Sequence, residues 1–254
     1  MRTDLILRTQ DLITNPTPRV PICLVLDASG SMGEVVDGSY ERTGQKFYKD
    51  DREWEIVNGG TTRFDLLNEG LKAFFDELSN DEVAKYSAEI SVVAFAGAAE
   101  NIMDFESISR VHFVELSEMP HDGTNIGDGV KMALELLEKR KKEYQDAGVD
   151  YFQPWLVLMT DGKPTKNNYK DVAKEVSRLV EEKRLTVFPI GVGKGADMRV
   201  LKMFSPKREP LKLKELRFKE FFEWLSKSVS ATSQSTPGET IKLDFEGIKG
   251  WSEL

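Results

Sequence analysis

Four short apolar runs constrain what this chain can fold into: VPICLVL at 20–26, AEISVVAFA at 88–96, WLVLMT at 155–160 and TVFPIGV at 186–192. Each is strand-length and largely apolar, so each reads as a strand buried on both faces. The segments between them carry a different period. Phe64, Leu67, Leu71, Phe74 and Leu78 fall three or four residues apart, as do Ile126, Val130, Ala133 and Leu137. Tyr169, Val172, Val176 and Leu179 repeat the pattern, and Phe218, Phe221, Phe222, Leu225 and Val229 close it. Each set is one apolar face of a helix. Alternating strands and helices predict an α/β fold, a doubly wound and mostly parallel sheet covered on both sides. Right-handed crossovers then gather the strand-to-helix loops along one edge, where such folds bind ligands. A weaker strand is expected at 100–105.

Composition narrows the function. The 254 residues are 40% hydrophobic and 31% charged, which suits one domain with a full core. A net charge of −8 argues against a broad basic nucleic-acid surface. No run approaches the roughly 18–20 apolar residues of a membrane helix. The opening residues lack the apolar core of a signal peptide. A cytoplasmic protein that engages neither nucleic acid nor membrane is the expectation. The one cysteine, Cys23, sits inside the first strand as packing. The chain divides into an arm at 1–19, a domain at 20–231 and a tail at 232–254. Residues 34–62 form an insertion much longer than an ordinary strand-to-helix loop.

The carboxyl ends of the predicted strands collect short oxygen side chains. The first strand runs into DASGSMG, giving Asp27, Ser29 and Ser31. MTDGKPT supplies Asp161 after the third run, and HDGTNIGDG places Thr124 at the entrance to a helix. Hard cations such as Mg²⁺ prefer oxygen ligands and keep several waters. Two serines and a threonine can supply neutral ligands, while two aspartates hold the waters and hydroxyls from behind. An ion ligated by neutral hydroxyls keeps a strong field, which favours a carboxylate from another protein at its open position.

DASGSM, DGTN and MTDG together resemble the metal-ion-dependent adhesion site (MIDAS) of von Willebrand factor A (vWA) domains. The resemblance covers about residues 20–231. It implies a six-stranded sheet with one antiparallel edge strand, here 100–105. It also implies a Mg²⁺ or Mn²⁺ ion held by Asp27, Ser29, Ser31, Thr124 and Asp161, and a non-enzymatic role in binding a protein ligand through its carboxylate. NPTPRVPICLVLDASGSM further resembles the bacterial cytosolic, tellurite-resistance-associated (TerY-like) vWA proteins. That likeness implies a place in a stress-response or kinase/phosphatase system, with a kinase or PP2C-type phosphatase as partner. Two features depart from the pattern. Asp122 stands where a small residue is usual. The 34–62 insertion begins at the motif itself, where it can act as a lid or a binding loop, and Glu34 or Asp37 can reach the open metal position.

Blander readings exist for each feature. Asp27, Ser29 and Ser31 fit a polar turn, Thr124 a helix cap, and Asp161 a DG turn. A second reading keeps the fold and makes the cation structural, with the partner on 34–62 or the tail. A third is a metal-dependent phosphoester hydrolase, but Ser29 stands where haloacid-dehalogenase chemistry places its second aspartate. His112 and His121 lack a zinc spacing. GVGKGA at 191–196 formally fits a dinucleotide fingerprint, yet sits late in the chain and reads better as a tight turn. EKRKKE at 138–143 reads as a solvated helix end. Trp224 is expected to be partly exposed, and Trp251 to anchor the tail or a partner.

Overall fold

A computed structural model of the chain describes residues 11–49, 52–113, 115–239, 247–250 and 252–253. Strand β1 (Val20–Asp27) lies at its centre, and all eight of its residues are buried. It pairs in parallel with β4 (Ala88–Phe95) on one side and with β6 (Trp155–Thr160) on the other. Beyond β6 come β7 (Thr186–Val192) and the three-residue β8 (Leu211–Leu213), both parallel. The far edge is β5 (Ala99–Ser107), antiparallel to β4 as expected for 100–105. The sheet order is β5-β4-β1-β6-β7-β8, with a last strand beyond β8. The six expected strand positions are thus filled, with β8 too short to leave a period in the sequence. Two residues of the tail, β9 (Ser252–Glu253), add a seventh strand antiparallel to β8. Most of the tail from 240 onward falls outside the described residues, and so does Trp251.

Side-chain alternation along β1 feeds two cores. Val20, Ile22, Leu24 and Leu26 join one cluster with α1 (Arg63–Asn80) and α6 (Phe218–Ser233). Cys23 and Val25 join the other, with α3 (Ile126–Ala147), α4 (Tyr169–Glu181) and α5 (Met198–Met203). A short turn of helix, α2 (Ala84–Ser87), leads into β4. Burial pushes the Cys23 thiol up to about 12, so it stays a neutral packing group. Trp224 is buried rather than partly exposed, edge-on to Phe188 at 5.7 Å. Among the described residues no helix is long and apolar enough to cross a membrane.

The amino ends of the strands are pinned by a buried ionic cluster. Glu89 of β4 is fully buried and accepts from Arg19 Nε at 3.0 Å, Arg140 Nε at 2.7 Å and Nη2 at 2.9 Å, and Tyr144 Oη at 2.6 Å. This corrects the reading of EKRKKE, because Arg140 faces the core and only its neighbours meet water. The same cluster fastens the arm. Arg19 donates to the carbonyls of Thr17, Asn15 and Tyr86, and Leu12 packs with Tyr144 and Val149.

The 34–62 insertion is a two-stranded antiparallel ribbon, β2 (Val35–Lys49) with β3 (Arg52–Thr62). Its base is tight: a Cβ on Gly60, where φ is +80°, would lie 2.4 Å from Val35 Cγ1. Its two faces differ. Register places Phe47 opposite Trp54, and alternation puts Ile56 beside them. The other face carries Arg42–Glu55 and Lys46–Glu53 ion pairs at 2.6 and 2.8 Å.

Replacing Glu89 with Gln should cost about 3–5 kcal/mol, because two guanidinium groups lose a buried counter-charge. Urea unfolding of the two proteins at neutral pH checks this. A loss under about 1 kcal/mol would mean the cluster is solvated and only weakly stabilising.

Candidate metal centre

The site is built at the carboxyl ends of β1 and β6, where paired parallel strands run out side by side. Asp27 is the last residue of β1 and is 1% exposed. Its Oδ1 accepts from Ser29 N at 3.0 Å and its Oδ2 from Thr160 Oγ1 at 2.5 Å. A short 3₁₀ turn, Gly30–Gly33, then brings Ser31 back beside Ser29, with the two Oγ atoms 3.2 Å apart. Ser31 Oγ donates to Asp161 Oδ1 at 2.7 Å. Asp27, Ser29, Ser31 and Asp161 therefore form one hydrogen-bonded chain across two loops.

Thr124 arrives from a third loop. The helix cap of α3 is Asn125, whose side chain accepts from Asp128 N, and not Thr124. Thr124 is instead stitched by its backbone to the Asp161 loop: its N–H donates to Thr165 Oγ1 at 3.1 Å and its carbonyl accepts from Thr165 N at 3.0 Å. Its hydroxyl faces Gly162, where a Cβ would lie only 3.2 Å from Thr124 Oγ1. That hydroxyl is thus brought to the residue next to Asp161. Asp122 is exposed on the same loop. His121 lies 3.9 Å from Glu100 at the edge, with a half-exposed ring.

One residue of the site was missed from sequence. Arg63, the first residue of α1, sends Nη1 to Ser31 O at 2.6 Å, to Glu34 Oε2 at 2.6 Å and to Asp161 Oδ2 at 3.4 Å. A cation at a helix N-terminus opposes the helix dipole, and that mismatch is a signal that it answers a local anion. Glu34 is therefore committed to Arg63, while Asp37 accepts from the N–H of Gly38 at 2.7 Å. Neither lies in the hydrogen-bonded chain of Asp27, Ser29, Ser31 and Asp161. Gly195 of GVGKGA makes room for this packing. A Cβ on Gly195 would lie 2.5 Å from the Asp161 carbonyl, and one on Gly193 would sit 3.9 Å from Arg63 Nε.

The electrostatics favour a cation. Burial, reinforced by the charge of Asp161, pushes the Asp27 carboxyl up to about 7 against the pull of its hydrogen bonds. Burial also raises Asp161, against Ser31 and Arg63. Two carboxylates this poorly solvated are stabilised by positive charge nearby. Among the described residues no cluster of three or more His, Cys, Asp or Glu is arranged to hold a metal. An ion at this edge would rest on hydroxyls, a donor set that suits a hard cation.

Residues 22–221 match the family model of the von Willebrand factor type A domain. Solved structures share the fold at low identity. BatB from Bacteroides thetaiotaomicron is 16% identical with a TM-score of 0.54, over 85% of this chain and 100% of that one. The pilus adhesin SpaC from Lactobacillus rhamnosus GG, in an open conformation, is 12% identical with a TM-score of 0.58, over 85% of this chain and 30% of that one. Proximal thread matrix protein 1 from the mussel byssus, with a zinc-occupied MIDAS motif, is 17% identical with a TM-score of 0.52, over 86% of this chain and 47% of that one. This chain thus spans less than half the length of the mussel protein. No curated protein matches it.

Asp27 gives the metal-free protein a pH signature. Its folded value of about 7 lies above the ordinary 3.8, so between these limits the native state binds more protons than the unfolded one. Stability in chelator should therefore fall as pH rises from about 4 to about 7. Asp27→Asn should flatten that slope, read as the urea midpoint across the range. An unchanged slope in the variant would assign the titration to another group.

Proposed function

The chain belongs to the von Willebrand factor type A family, and on that premise we propose that it is a metal-dependent protein-interaction module. The observation that carries the reading is the single hydrogen-bonded chain of Asp27, Ser29, Ser31 and Asp161 at the sheet edge. Ser29, Ser31 and Thr124 would hold Mg²⁺ or Mn²⁺ through their hydroxyls, directly or through water. Asp27 and Asp161 would stand behind, accepting from those hydroxyls and waters and fixing their orientation. A bound ion supplies a concentrated positive field, at which a carboxylate of a partner protein can complete the shell. The residues contribute position and charge rather than a reaction step, so the module is read as non-enzymatic.

The partner is a protein presenting an acidic side chain. The TerY-like resemblance puts a cytoplasmic stress-response or kinase/phosphatase system first, with a kinase or PP2C-type phosphatase as the first candidate to test. A second reading rests on the ribbon. Phe47 and Ile56 are each 43% exposed on its apolar face, away from its base and toward its tip. In that reading the cation is structural and the partner is gripped by β2 and β3.

Melts in EDTA, Mg²⁺ and Mn²⁺ test the first reading. A ligand at a hundred times its Kd stabilises the folded state by about 2.7 kcal/mol, a rise of roughly 5–10 °C here. The Ser29→Ala/Ser31→Ala double variant should lose the rise and keep its melt in EDTA within a few degrees. A carboxylate probe such as glutarate should add further stabilisation only with metal present. Metal stabilisation that glutarate leaves unchanged would favour the structural cation and the ribbon.

A further inference from the structure

The Arg63 guanidinium stands where a metal centre should least want one. Its Nη1 is 3.4 Å from Asp161 Oδ2, the oxygen that Ser31 leaves open, since Ser31 Oγ takes Oδ1. A divalent ion drawn to Asp161 meets a fixed positive charge already paired with it. The Arg63 side chain is only 17% exposed, and its Nε is buried beside Gly193 with no hydrogen-bond partner among the described residues. It has a second carboxylate within reach. Glu34 Oε2 lies 2.6 Å from the same Nη1, and the Glu34 side chain is 53% exposed, whereas that of Asp161 is 3% exposed. One guanidinium nitrogen is thus shared between a buried carboxylate of the site and a solvated one outside it.

Resting on the metal reading above, we propose that Arg63 is a tethered counter-cation that competes with the divalent ion for Asp161, with Glu34 as the seat to which it withdraws. Without metal, Arg63 neutralises a carboxylate whose burial would otherwise leave it uncompensated. With metal, two cations at one carboxylate repel, and the shorter contact to Glu34 gives the guanidinium a place to go without leaving Ser31 O. The arrangement keeps the apo site folded at the expense of metal affinity. It also ties occupancy to the start of the ribbon, because Glu34 is the residue before β2. A partner that engages Glu34 would remove the seat and loosen the metal, and one that engages Arg63 would tighten it.

The test is isothermal titration of the full chain with MgCl₂ and MnCl₂. Arg63→Gln and Arg63→Met remove the charge in two ways, the second keeping most of the side-chain volume, and Arg63→Lys retains the charge. A neighbouring guanidinium typically shifts a carboxylate by one unit or more, so both neutral variants should bind metal about tenfold more tightly than wild type. Arg63→Lys should stay within about threefold of wild type. Circular dichroism in EDTA establishes that each variant is folded before titration. Equal or weaker binding by a folded neutral variant would overturn the proposal, showing that Arg63 serves only to hold the Ser31 loop. Binding by no variant and not by wild type would overturn the metal reading itself, and this inference with it. Asp27→Asn, which should abolish binding in every background, separates the two failures.

Discussion

A carboxylate held almost out of water at the end of the central strand sets the terms for the rest of this molecule. Asp27 cannot be solvated, because β1 is covered by parallel neighbours on both sides and helices on both faces. Burying an ionised carboxylate without compensation costs several kcal/mol, so the surrounding loops are organised to repay it. A backbone N–H from Ser29 and a hydroxyl from Thr160 occupy its two oxygens. They do not repay it fully, since the group remains raised to about 7 and a second buried carboxylate lies at the far end of the same hydrogen-bonded chain. The unspent negative charge is what a cation would neutralise. The hydroxyls of Ser29 and Ser31 lie between the two carboxylates, where they can serve either the charges or an ion.

The strands and their helices were legible because a parallel sheet buried on both faces leaves continuous apolar runs, and its helices leave stripes of period 3.6. The site was legible for a related reason: loops at strand ends are short, so Asp27 and Asp161 could be placed from the ends of their runs. What escaped was whatever depended on partners distant in sequence. Glu89 reads as an interruption in AEISVVAFA, and only the fold shows that Arg19 and Arg140 converge on it. Arg140 reads as one cation in a charged run, because helix periodicity weighs apolar residues and is blind to a guanidinium aimed inward. Arg63 follows an insertion whose length hid its structure. That length was the clue, since long loops without internal structure are uncommon in compact domains. Gly59 of β3 pairs with Tyr40, and a bulge separates that pair from Asp37 and Thr61, which breaks the alternation that would have marked the ribbon.

GVGKGA shows how a motif can be formally right and physically misplaced. One of its glycines, Gly195, does serve a close approach, but of backbone to backbone rather than of backbone to phosphate. Gly195 is needed because the carbonyl of Asp161 lies where a Cβ would be, and Gly193 because its φ of +66° is in the left-handed region. The turn after β7 therefore acts as a wall for the site. This also explains why it sits late in the chain: it closes the β6 loop from the neighbouring strand, whereas a dinucleotide site uses the first strand–helix unit.

The two ends of the sheet carry opposite charge problems, and comparing them argues for where function lies. At the amino ends, Glu89 faces two guanidinium groups and a phenol, every oxygen is engaged, and Arg19, Glu89 and Tyr144 are completely buried. That cluster is sealed from water at its centre. It fastens the arm, β4 and α3 together, and its charges are spent on one another. At the carboxyl ends, the guanidinium of Arg63 lies 3.4 Å from Asp161, one of two buried carboxylates, Ser31 is only half-buried, and Glu34 draws the guanidinium outward. The first cluster is saturated and closed, and the second is under-compensated and open at one side. A fold that merely needed to bury charge would have treated both ends alike. The imbalance at the carboxyl edge is the feature on which the proposed cation site rests.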